Sequence, residues 1–296
     1  MHILITDSGV GGLSVVAYAE RFVRTHGLRE PLRLTFANAA PANDYGYNSM
    51  PTREEKLATF DRFLRKMVVR FAPDSIYVAC NTLSVLLPDT PYLANAPIPV
   101  NGIVETAAGL MLRALKADPR SVALIFATQT TIDTGTYPRL LGERGVEPSR
   151  IVSQACPGLA DGISEDREGT RTQAEIRGWV GAALHKTEHN ADKMQHAGTS
   201  VVACLACTHY GYRKDFFATA FEEAGIGAVV VNPNESAIQD IFGQPPEGPH
   251  HDAEVRFVTR YAIPNATVEA LTYFLREISP RTVAAMQNLE YLPDLF

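Results

Sequence analysis

The stretch HILITDSGVGG, residues 2–12, sets the terms for the fold. A short apolar run with β-branched members reads as a buried strand, and Asp7-Ser8 followed by three glycines in four positions reads as a sharp strand-to-helix turn. Glycine there lets the backbone aim N–H groups at an anion where the next helix begins. It is not the dinucleotide fingerprint, because no third glycine follows Gly11 at the required spacing.

The same alternation continues along the chain. Further short apolar runs are LRLTFA at 32–37, SIYVAC at 75–80, SVALIFAT at 121–128, SVVACLAC at 200–207 and AVVV at 228–231. Runs of this length between amphipathic stretches predict parallel strands covered on both faces by crossover helices, a doubly wound α/β architecture. The clearest helix is 52–71, where Leu57, Phe60, Phe63, Leu64, Met67 and Val68 recur at helical spacing behind a Thr52 cap with Glu55 three residues on. With 296 residues the chain suits two domains. IPVNGIVETA at 98–107 reads as the crossover between them, with residues 1–100 plus 211–296 in the first domain and 101–210 in the second. The segment Gly243–Asp252, with its prolines and the adjacent His250 and His251, reads as an exposed loop rather than a metal site.

Composition excludes several classes of function. A hydrophobic share of 46% against 20% charged residues is that of an ordinary globular protein. Lys and Arg number 27 against 33 Asp and Glu, so there is no basic excess for nucleic acid or an anionic membrane. No run approaches the roughly 20 apolar residues of a membrane helix, and the N-terminus has no basic region before an apolar stretch. Four cysteines in a chain of this length are too few and too irregular for a disulfide framework. The expected setting is a reducing cytoplasm.

Two of those cysteines fall where ligands bind in parallel sheets, at the carboxyl ends of strands. Cys80 ends the run at 75–80 and is followed by Asn81 and Thr82; Cys207 ends the run at 200–207 and is followed by Thr208 and His209. A helix start favours thiolate, and an imidazole near sulfur can hold or accept its proton. Cys204 and Cys207 also form a C-x-x-C, the spacing of a redox pair or half a zinc site. Zinc needs more ligands than are nearby, and Cys204 lies inside an apolar strand, so Cys204 reads as core. Cys156 in QACPG reads as structural.

DSGVGGLSV at 7–15, ACNT at 79–82 and ACTHY at 206–210 together resemble the three signature blocks of the glutamate racemases, within the aspartate/glutamate racemase family. Weaker matches at Tyr45-Gly46, PVNGIVETA, LIFATQTTIDTGTY, ACP at 155–157 and VNPNESA extend the resemblance over nearly the whole chain. It implies two pseudo-symmetric α/β domains with the active site in the cleft between them, and racemisation without a cofactor or metal. Cys80 assisted by Asp7, and Cys207 assisted by His209, would exchange the α-proton on opposite faces, while Ser8, Tyr45, Gly46, Asn81, Thr82, Thr131 and Thr208 hold the substrate. Inverting a stereocentre by proton removal and return requires such a pair, one group acting as base while the other acts as acid. The resemblance further implies a cytoplasmic homodimer that supplies D-glutamate for peptidoglycan and the cell wall. Other readings are a racemase for a different amino acid, a decarboxylase or cis–trans isomerase of a small dicarboxylic acid, and a binding protein without turnover.

The chain departs from the family pattern near the pocket. Its segment 38–48 is one residue longer, Asp44 stands where the family has proline, and Asn48 replaces a basic residue. These changes are expected to disfavour a glutamate side-chain carboxylate unless Arg53 compensates. Ser164, with Glu165 beside it, aligns with a glutamate that assists the second cysteine, and Gly211 replaces a proline.

Overall fold

The computed structural model describes residues 1–190, 200–243 and 252–296. His250, His251 and most of the expected loop at 243–252 lie outside the described residues. The chain forms two units, Met1–Ile103 with Asn234–Phe296, and Val104–Pro233.

The first unit holds the strands β1 (His2–Asp7), β2 (Arg33–Asn38), β3 (Ser75–Val78), β4 (Val100–Gly102), β9 (Glu254–Thr259) and β10 (Glu290–Tyr291). They form a six-stranded parallel sheet in the order β10-β9-β2-β1-β3-β4. Ile3, Leu4 and Ile5 of the central β1 are buried, as the two-sided cover of a parallel sheet demands. Helix α1 (Leu13–His26) follows the glycine turn and buries Leu13, Val15, Val16, Ala19 and Val23. Helix α2 (Arg53–Phe71) begins as expected, with the Thr52 hydroxyl accepting the Glu55 N–H at 3.2 Å. Its core face is Phe60, Phe63, Leu64 and Met67; Leu57 and Val68 lie at the half-buried margin. Helix α3 (Asn81–Leu86) starts just beyond β3.

The second unit holds β5 (Val122–Ala127), β6 (Ile151–Ala155), β7 (Val201–Ala206) and β8 (Ala228–Val231). They form a four-stranded parallel sheet in the order β6-β5-β7-β8. Every residue of β5 and β7 is buried. Phe126 of β5 packs against Phe217 and Phe221 of the helix Lys214–Glu223, which covers one face.

Both sheets share one order, the second strand beside the first, then the third, then the fourth; the first unit adds β9 and β10 outside β2. The sequence reading returned the chain to the first domain at 211, whereas the second unit runs on to Pro233. The reason is β8, which pairs with β7 from Val201↔Ala228 to Cys204↔Val231 and so holds 211–233 in the second sheet. Among the described residues no helix is long and apolar enough to cross a membrane.

Candidate active site

In a parallel sheet all strands end at one edge, so residues just past neighbouring strands become neighbours. In the first unit Thr6 pairs with Val78, and the Ala79 N–H donates to the Thr6 carbonyl at 2.9 Å. This continuation beyond β3 brings Asp7, at the end of β1, alongside Cys80. Gly12 is required by the same packing: a Cβ there would lie 2.8 Å from Asp7 Oδ2 and 3.2 Å from the Ala79 Cβ. The turn glycine therefore makes room for a buried carboxylate.

Cys80 is buried at the start of α3, where its Sγ accepts the Leu83 N–H at 3.5 Å. The Ser8 hydroxyl lies 3.0 Å from Cys80 Sγ and donates to Asp7 Oδ1 at 3.5 Å. With that donation the hydroxyl oxygen is left to accept from the thiol, so Cys80, Ser8 and Asp7 form a chain along which a proton can pass. Burial pushes the Cys80 thiol up to about 12, the Asp7 carboxylate adds to the rise, and the backbone N–H bonds from Leu83 and Ser8 offset part of it. Cys80 thus rests as a neutral thiol. Asn81 and Thr82, the first residues of α3, are buried beside it.

Tyr45 is exposed, and its hydroxyl donates to the Glu55 carboxylate near the start of α2. Gly46 faces open space where a Cβ would stand. Asp44 and Asn48 are exposed. Arg53, considered above as a compensating cation, is paired with Asp89 at the surface.

In the second unit Cys207 follows β7, and Ala127 pairs with Ala206, so the turn after β5 sits next to the thiol. His209 Nδ1 is 3.9 Å from Cys207 Sγ, a sulfur–imidazole contact that can carry a proton in either direction. Thr208 is buried. Thr131 is buried in the adjacent turn, its N–H bonded to Thr128 Oγ1 at 3.4 Å and its hydroxyl 3.1 Å from the same oxygen. Buried Tyr210 donates its hydroxyl to the Cys156 carbonyl at 3.1 Å, which anchors the segment carrying Cys207 to the strand end at β6.

Ser164 is buried and donates to the Ala160 carbonyl of its own helix at 3.1 Å, while exposed Glu165 pairs with Arg171 at 3.7 Å. Cys204 is fully buried in β7, and burial alone pushes its thiol up to about 12. Cys156 is likewise pushed up to about 12 by burial. None of the four cysteines forms a disulfide with another. Among the described residues no group of three His, Cys, Asp or Glu could hold a metal ion.

Comparison with known proteins gives a consistent outcome. The chain is 27% identical over 238 residues to the glutamate racemase of a Nitratiruptor species, covering 80% of this chain and 81% of that protein. It is 30% identical over 217 residues to the glutamate racemase of Stutzerimonas stutzeri, covering 70% and 69%. Among solved structures it is similar to glutamate racemase from Francisella tularensis subsp. tularensis in complex with D-glutamate, with a TM-score of 0.70 at 18% identity over 99% of this chain and 98% of that one. Glutamate racemase from Campylobacter jejuni subsp. jejuni gives a TM-score of 0.69 at 20% identity over 93% and 98%. At such identities the structural likeness speaks for the fold: two α/β units built on parallel sheets. No protein-family model matches the chain.

Proposed function

We propose, since the chain belongs to the glutamate racemase family, that this amino-acid racemase interconverts L- and D-glutamate by proton transfer between two cysteines, without a cofactor. The observation that carries the reading is the repetition of one device in each unit. A buried cysteine follows the third strand of the sheet, and each has its own proton partner: Asp7 through Ser8 for Cys80, and His209 for Cys207.

In this mechanism Cys80 as thiolate removes the α-proton from one face of the substrate and Cys207 as thiol returns a proton to the other. The reverse direction exchanges the two roles. The deprotonated intermediate is planar at Cα and spreads its charge onto the carboxylate, where hydroxyls and N–H groups at the strand ends stabilise it. Ser8, Tyr45, Gly46, Asn81, Thr82, Thr131 and Thr208 hold the amino and carboxylate groups. Cys80 starts as a neutral thiol, so it must be activated on binding. The substrate ammonium supplies a positive charge beside sulfur, which favours thiolate, and Ser8 with Asp7 can accept the released proton. The free thiols suit a reducing cytoplasm, and the family suits a homodimer serving peptidoglycan synthesis; both are part of the proposal.

The test is proton-to-deuterium exchange at Cα, followed by NMR in heavy water over glutamate, aspartate, glutamine and a basic amino acid. Exchange with glutamate, accompanied by its D-enantiomer, is the expected result. Exchange with another amino acid alone would move the substrate while keeping the chemistry, and none with any would end the racemase reading.

A further inference from the structure

Tyr210 closes the turn that carries the second thiol. Its N–H donates to the Cys207 carbonyl at 3.1 Å, which gathers Cys207, Thr208 and His209 into one turn beyond β7. Its ring is wholly buried and lies tilted against Phe217, with centroids 6.0 Å apart. Phenylalanine would serve that packing equally well; what tyrosine adds is the bond from its hydroxyl to the Cys156 carbonyl at 3.1 Å.

The sheet order gives this bond its reach. β6 and β7 are not neighbours, because β5 lies between them. Tyr210 therefore spans from the end of β7 across β5 to the residue after β6. Cys156 is tied in turn to β5, its N–H donating to the Ala127 carbonyl at 2.9 Å. Ala127 ends β5 and directly precedes the turn that holds Thr131. A line of hydrogen bonds thus runs from Ala127 through Cys156 and Tyr210 to Cys207.

The second thiol needs such a line because the sheet stops short of it. The ladder between β5 and β7 ends at Ala127↔Ala206, one residue before Cys207. At the first site a helix takes over, the Ser84 N–H donating to the Cys80 carbonyl at 2.9 Å as α3 begins. Cys207 is followed instead by the short, tight turn Tyr210–Arg213, a conformation with poorer hydrogen-bond geometry.

We propose that Tyr210 is a positioning residue for proton transfer at Cys207: its hydroxyl, through Cys156, sets Cys207 and His209 against the turn that holds Thr131. It acts through the thiol rather than on the substrate. The inference rests on the racemase reading given above. Proton transfer between sulfur and carbon depends steeply on placement, and a displacement of about 1 Å can cost a hundredfold in rate.

Tyr210→Phe in the full chain removes the one oxygen and keeps the ring. Racemisation is measured from both enantiomers of glutamate, each with hydrogen or deuterium at Cα, in wild type, Tyr210→Phe and Phe217→Leu. The last loosens the same core without removing the hydroxyl. In Tyr210→Phe, kcat/KM should fall about tenfold, the loss expected of one buried hydrogen bond. Its deuterium isotope effect on kcat/KM should rise in the direction in which Cys207 removes the α-proton. It should fall in the other direction, where removal by Cys80 becomes reversible while the intermediate waits for Cys207. A merely structural tyrosine would leave both isotope effects where they were. Isotope effects unchanged, or changed alike in both directions, overturn the proposal and leave the racemase reading standing. The same opposed change in Phe217→Leu also overturns it, since core packing and not the hydroxyl would then place the thiol. Absence of racemisation in the wild type would overturn both readings together.

Discussion

The two cysteine sites occupy equivalent places in sheets of equivalent order, yet they are surrounded differently. Cys80 is enclosed at the start of α3, with a hydroxyl at 3.0 Å and a carboxylate one step further, so its proton has a route but its anion is opposed by burial and by Asp7. Cys207 has an imidazole nitrogen at 3.9 Å, a group that can both give and take a proton. The shared topology delivers a thiol to each site, but the group beside it has a different origin in each. In the first unit it comes from β1, ending in Asp7; in the second, the assistant comes from Cys207's own segment. A proton transfer that runs both ways does not require mirror-image sites, only an acid and a base that can exchange roles.

The largest effect expected from this comparison is the loss of either thiol. Cys80→Ser or Cys207→Ser keeps the shape of the side chain but replaces sulfur with an oxygen far harder to deprotonate. General acid–base groups contribute about 10²–10⁴-fold, so racemisation measured by circular dichroism should fall by about that factor in each variant, with the far-ultraviolet spectrum unchanged. Near wild-type turnover in one of them would reduce the pair to a single working site.

Much of this could be read from the sequence, for a physical reason. β5 and β7 are unbroken apolar runs buried at every residue, as strands covered on both faces tend to be, while β1, β2, β3 and β8 show as shorter apolar stretches although β8 is only partly buried. The Thr52 cap and the core face of α2 follow from local chemistry. The strands that escaped are those with partial burial or little length: β6 (IVSQA) alternates, β9 (EVRFVT) begins with charged residues, and β4 and β10 have three and two residues. Cys80 and Cys207 were legible because each closes an apolar run. The part given to Tyr210 was not, because its bond to the Cys156 carbonyl depends on the order of the strands, which no local pattern records. Asp44 illustrates the same gap, since its type is legible and its exposure is not.

A middle-sized effect would sharpen the contrast by showing that Cys80 rests as a thiol. Its folded-state value is about 12 against an ordinary 9.0, so the unfolded chain loses this proton first as the pH rises. The stabilisation is fully present below about pH 9 and is lost as the pH climbs toward 12, because in that window the folded state binds more protons. Each such thiol steepens the loss by roughly 1.4 kcal/mol per pH unit. Cys204, pushed up by burial alone and without a role in the proposed chemistry, is the reference. Urea unfolding at several pH values above 9 should give a slope shallower by about one proton in both Cys80→Ser and Cys204→Ser. Cys204→Ser should keep its turnover. A slope unchanged in Cys80→Ser would mean that this sulfur is already ionised in the folded protein, which would bring its state closer to that of a thiol paired with an imidazole.

The smallest effect concerns the departure from the family that is most visible in the sequence. A negative charge at Asp44, with the basic residue at 48 lost, suggested repulsion of a glutamate side chain strong enough to redirect specificity. The structure turns Asp44 and Asn48 to solvent, where a charge is screened by water and salt, and exposed pairs contribute only about 0–1 kcal/mol. Proline at 44 spares the bridge between Ala42 and Tyr45, because the bond there comes from the Tyr45 N–H to the Ala42 carbonyl. Asp44→Pro should therefore change the ratio of kcat/KM for glutamate over glutamine by less than about threefold, with any residual effect shrinking as salt is added. A larger shift that survives high salt would mean that Asp44 meets the substrate out of water's reach. In that event the Cys80 side of the chemistry would carry a second carboxylate besides Asp7, and the difference between the two sites would extend from proton transfer to the choice of substrate.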